Sequence, residues 1–90
     1  MGTIKEQITD LLSLPKEIVL NLPQLILTGR NELSIENYKN IIEYSGSRIR
    51  INTSSGVLLI LGTDLTLKQI TTEHITVTGE IVKFEFMDIP

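Results

Sequence analysis

Apolar residues recur at two different periods along this 90-residue chain. From Thr3 to Leu14 the period is helical: Ile4, Ile8, Leu11 and Leu12 fall on one face of a 3.6-residue turn. Thr3 and Glu6 have the spacing of a capping box, and Pro15 has no amide with which to continue a helix. A short amphipathic helix is therefore predicted at 3–14, with its apolar face expected to cover a β core. Glu17 to Leu22, between two prolines, reads either as one further turn or as an extended linker. From Pro23 onward the period drops to 2. Ser47-Arg48-Ile49-Arg50-Ile51-Asn52 and Asp64-Leu65-Thr66-Leu67-Lys68 alternate cleanly between apolar and polar. Ile81 lies one residue out of phase with Phe84 and Phe86, which predicts a bulge or kink near Val82.

Glycines punctuate the strand-like region. Gly29, Gly46, Gly62 and Gly79 are separated by 17, 16 and 17 residues. Each follows a short apolar run, such as Leu25-Ile26-Leu27 or Leu58-Leu59-Ile60-Leu61, and precedes an apolar-x-apolar triplet. The prediction is one β unit written four times, giving about eight short strands. If each glycine is a hairpin turn, the strands form an antiparallel sandwich or small barrel. If each is a corner, the units stack as a short β-solenoid capped by the helix. The hairpin-rich sheet is the expectation and the solenoid the alternative. The whole chain reads as one domain, with a helix and Pro-bounded linker at 1–22 and a repetitive β domain at 23–90.

Composition agrees with the β reading. Ile, Leu and Val supply 31 of the 90 residues, alanine is absent and threonine occurs ten times. Losing the best helix former while enriching β-branched residues favours strands. Net charge is −3 with both signs interspersed, so no basic stripe invites nucleic acid. The absence of cysteine rules out disulfide and thiol chemistry and fits a reducing compartment. No apolar run approaches the roughly 18 residues of a membrane span, and the N-terminus lacks a signal-peptide layout.

Candidate chemistry is sparse. His74 is a lone histidine and makes a poor metal ligand set; a turn or surface position is expected for it. Carboxylates such as Glu36, Glu43 and Asp64 are spread along strands, where they read as a solvated face rather than an acid–base pair. Thr53-Ser54-Ser55-Gly56 lacks the Lys and Gly spacing of a phosphate loop and reads as a hairpin turn. No catalytic residue, metal or cofactor is predicted. Phe84, Phe86 and Met87 form the candidate interface, either completing the core or presenting an open strand edge to another chain. Asn37, Tyr38 and Asn52 form a candidate ligand loop should the domain instead bind a small ligand or glycan.

The order of several segments resembles the YabP/YqfC family of bacterial sporulation proteins, in particular its YqfC-like branch. The segments are Leu14-Pro15-Lys16-Glu17-Ile18-Val19-Leu20-Asn21-Leu22-Pro23, Leu33-Ser34-Ile35-Glu36-Asn37-Tyr38, Ile41-Ile42-Glu43-Tyr44, Leu59-Ile60-Leu61-Gly62-Thr63-Asp64-Leu65, Thr78-Gly79-Glu80-Ile81 and Phe84-Glu85-Phe86. The resemblance runs from about the end of the predicted helix to Met87. It implies a non-enzymatic protein of endospore-forming bacteria, made in the mother cell, cytoplasmic or at the forespore surface, and acting in spore coat or envelope assembly. It implies other sporulation or coat proteins, or a membrane protein, as partners. With the repeat, it leads us to expect a homo-oligomer. It carries no catalytic or ligand-binding residues onto this chain.

Overall fold

The computed structural model describes residues 21–88. The predicted helix over 3–14, and most of the 1–22 segment, lie outside them. Six strands follow: β1 (Gln24–Thr28), β2 (Glu32–Glu36), β3 (Tyr38–Tyr44), β4 (Arg48–Thr53), β5 (Gly56–Lys68) and β6 (His74–Met87). They form one open sheet in the order β1-β2-β6-β5-β4-β3, and every adjacent pair is antiparallel.

The structure departs from four of the expectations. Among the described residues there are six strands, not about eight. The glycine-centred units are not copies of one structure. Gly29 and Gly46 lie in the β1–β2 and β3–β4 turns, whereas Gly62 and Gly79 lie inside the two longest strands. A run and a triplet that looked like separate strands, Leu58–Leu61 and Leu65–Leu67, are two halves of β5. The solenoid fails as well, because stacked rungs would pair in parallel and all five ladders are antiparallel. The closed barrel and the two-sheet sandwich give way to a single open sheet.

That sheet curls. β2 and β3 are its second and sixth strands, yet Asn37 alone separates them in sequence. In a flat sheet four strand spacings would set them about 19 Å apart. Two residue steps reach only about 7 Å. The ends must therefore meet, and Asn37 turns the corner with a left-handed φ of 64°. Its backbone N–H donates to the Glu73 carbonyl, and the Tyr38 hydroxyl donates to the Thr71 carbonyl. These two bonds tie the corner to the β5–β6 connection.

The core lies on the concave face, in cross-strand rows. Leu25, Ile35 and Ile75 form one row, and Leu27, Leu33, Val77 and Leu67 the next. Beyond the bend come Tyr44, Ile49, Ile60 and Phe84, then Ile41, Ile51, Leu58 and Phe86. Leu33, Ile35, Ile49, Ile51, Ile60, Ile75 and Val77 are fully buried, and both halves of the sheet contribute to one cluster. Period-2 alternation in each strand puts its isoleucines and leucines on this face, and burying them drives the curl.

Two bulges allow the long strands to bend. Ile81 faces Gly62 and Lys83 faces Leu61, so Val82 has no opposite residue, at the position where the phase shift predicts a bulge. On β5, Asp64 and Leu65 together oppose the single residue Gly79, with Asp64 at φ 54°. Each bulge exchanges the inward and outward positions. Leu58 and Ile60 before the bend, and Leu65 after it, therefore all reach the core. The short hairpins brace the bend. Gly62 and Leu65 donate to the carbonyls of Ser47 and Gly46, while Gly79 and Ile81 donate to those of Asn31 and Arg30.

Candidate functional site

The titratable residues sit in small, separate constellations. His74 begins β6 with Nδ1 3.5 Å from a Glu36 carboxylate oxygen and Nε2 3.1 Å from the Thr76 hydroxyl. Thr76 in turn donates to the Gln69 side-chain oxygen. Glu43 on β3 accepts from Arg50 Nε at 2.7 Å and lies 3.3 Å from Arg48 Nε. Glu36 and Glu43 thus face different partners on different strands. Among the described residues no group of three or more His, Cys, Asp or Glu is placed to hold a metal ion.

The predicted ligand-loop residues are engaged within the fold. Asn37 donates from Nδ2 to the Leu22 carbonyl, Tyr38 to Thr71, and Asn52 from Nδ2 to the Asn40 side-chain oxygen. Asn37 and Tyr38 share the β2–β3 corner, while Asn52 points from β4 toward β3. Thr53–Gly56 is the β4–β5 turn, closed by the Thr53 hydroxyl, which donates to the Gly56 carbonyl and accepts from the Ser55 amide. A polar recess of about 460 Å³ lies at the bend, lined by Arg30, Asn31, Thr78, Gly79 and Glu80. The Gly79 amide there donates to the Asn31 carbonyl.

The feature with binding character is apolar. A slot of about 170 Å³ opens between β1 and the C-terminal half of β6, lined by Leu25, Leu58, Phe84, Phe86 and the edge of Glu85. Phe84 faces Ile60 and Phe86 faces Leu58 across the β5–β6 ladder, so both aromatics stand on the core side. Phe84 is half-buried against the cluster, while Phe86 remains 45% exposed. Beyond Ile81, no strand among the described residues pairs with the other side of β6. Ile26 and Leu27 on β1 are also exposed. Such a slot takes an apolar side chain, and its flanking edges have no pairing strand among the described residues. The sequence pattern marks Phe84, Phe86 and Met87 as an interface but not Leu25, Ile26 and Leu27. Their apolar run was visible; that it lies at the rim of the sheet is a property of strand order.

The YabP family model matches residues 21–89, which covers all six strands. The chain belongs to the YabP family. Family membership therefore attaches to the curled sheet itself, and the family is one associated with sporulation. The chain is also 28% identical over 78 residues to the protein YqfC of Bacillus subtilis (strain 168), a stretch covering 87% of this chain and 84% of that one. No solved structure matches the chain. Among the described residues of this YabP family member, no helix is long and apolar enough to cross a membrane.

Proposed function

We propose that this chain is a non-enzymatic structural module of spore formation, acting in coat or envelope assembly by self-association or by docking on other sporulation proteins. The observation that carries this reading is the apolar slot at Leu25, Leu58, Phe84 and Phe86, beside the exposed Leu27 side chain on the same face of β1. Exposed apolar surface beside unpaired strand edges is the physical signature of a protein-binding site. Membership of a family associated with sporulation supplies the setting.

The test is the molar mass in solution across a concentration series, by light scattering after size exclusion, together with co-sedimentation on purified coat and envelope fractions. A mass that rises above 10.1 kDa, or retention on those fractions, is the expected result. A strict monomer that binds neither fraction would overturn the proposal.

A further inference from the structure

Among the described residues the sheet has two terminal strands, and they are built differently. β3 is broken at two places in its pairing with β4, between Tyr38 and Asn40 and between Ile41 and Glu43. It also carries Lys39 and Glu43. Bulges and charges are the devices by which an edge is kept from pairing with another strand. β1 has none of them. Its five residues pair with β2 in unbroken register from Gln24–Glu36 to Thr28–Glu32, and Gln24-Leu25-Ile26-Leu27-Thr28 bears no charge. Ile26 is 51% exposed and Leu27 46% exposed. The free side of β6 beyond Ile81 is less suitable, because Val82 bulges there and Lys83 and Glu85 carry charge.

We propose that β1 pairs antiparallel with β1 of a second copy of this chain, about a two-fold axis at Ile26. The inference rests on the self-association reading above and names its surface. A second copy fits because the strand reads the same way in both directions. Pairing about Ile26 sets Leu25 opposite Leu27 and Gln24 opposite Thr28, so every apolar side chain meets an apolar one. Charge points the same way. Two chains of net charge −3 repel over most of their surface, and an uncharged edge is where they can approach. A partner selected by charge would find nothing on β1 to recognise. The pairing also continues the slot. Leu25 lines it, and Leu27 of the second copy would lie beside Leu25 on the same face, joining the two slots across the axis. Two sheets of six strands would then become one continuous sheet.

The absence of cysteine makes the test clean. In an antiparallel pair about Ile26 the two Ile26 Cα atoms lie about 4.5–5.5 Å apart, within disulfide reach. Ile26→Cys is therefore expected to form a covalent dimer under mild oxidation. Ile42→Cys on β3 serves as the control, since Ile42 is 42% exposed and comparably open to chance collision. In parallel, Ile26→Lys should abolish the concentration-dependent rise in mass, while Ile42→Lys leaves it unchanged. Circular dichroism confirms that each variant is folded. Cross-linking no greater for Ile26→Cys than for Ile42→Cys, with a mass indifferent to Ile26→Lys, overturns the assignment to β1 and leaves self-association standing. A parent chain that is monomeric at every concentration overturns both.

Discussion

Gly62 and Glu80 meet backbone to backbone at the bend of the two long strands. A Cβ added to Gly62 would collide with the Glu80 carbonyl oxygen on one side and come within 2.8 Å of a Leu65 methyl on the other. A strand's backbone carbonyl cannot move aside as a side-chain tip can. Gly62→Ala should therefore destabilise the fold by at least about 2 kcal/mol. Gly46, in an open turn with nothing within 4 Å of such a Cβ, should accept alanine within about 0.5 kcal/mol of the parent. Urea unfolding of both variants checks the contrast, and equal losses would refute the bend as the site of close approach.

Asn37 should respond to two changes in graded fashion. Alanine there loses the bond from Nδ2 to the Leu22 carbonyl and must also hold φ near 64°. Together these amount to about 2 kcal/mol. Glycine loses the bond but adopts the corner freely, so Asn37→Gly should be the milder variant by about 1 kcal/mol. Thermal melts followed by circular dichroism separate them. The opposite ranking would mean that the corner conformation is not what asparagine supplies.

Thr53 is 2% exposed, and its hydroxyl both donates to the Gly56 carbonyl and accepts from the Ser55 amide. Valine has nearly the same shape and neither capacity. Thr53→Val should lower stability by about 1–2 kcal/mol, through two turn groups left without a partner. Denaturant unfolding provides the measure; a valine variant as stable as the parent would show that solvent satisfies those groups.

Glu43 holds two arginines, Arg48 and Arg50, yet all three side chains are about one-third to one-half exposed. Solvent screens such pairs strongly. Glu43→Gln should therefore cost under about 1 kcal/mol. The difference should shrink further as salt rises toward 1 M. A loss of several kcal/mol that salt does not alter would indicate a buried role for Glu43.

The sequence by itself determined the features that depend on neighbours a few residues away. Period-2 alternation marked Ile49 and Ile51 as inward-facing on their strand. Turn chemistry marked Thr53–Gly56. The slipped phase between Ile81 and Phe84 located the bulge at Val82. Family resemblance was legible for a related reason, since the order of short segments survives without reference to shape. Only the tertiary structure decided which strands are neighbours. Leu33 faces Val77, and Leu58 faces Phe86. An apolar position accepts any apolar partner, so periodicity does not name the one it meets. Glycine was ambiguous for the same physical reason. A tight turn at Gly29, with φ 59°, and a crowded bend at Gly62 both favour glycine, and the residue type cannot tell them apart. The candidate site followed from these non-local choices. Leu25, Ile26 and Leu27 look like any buried strand until β1 proves to be the end of the sheet, and Phe86 looks like core until the curl leaves a slot beside it.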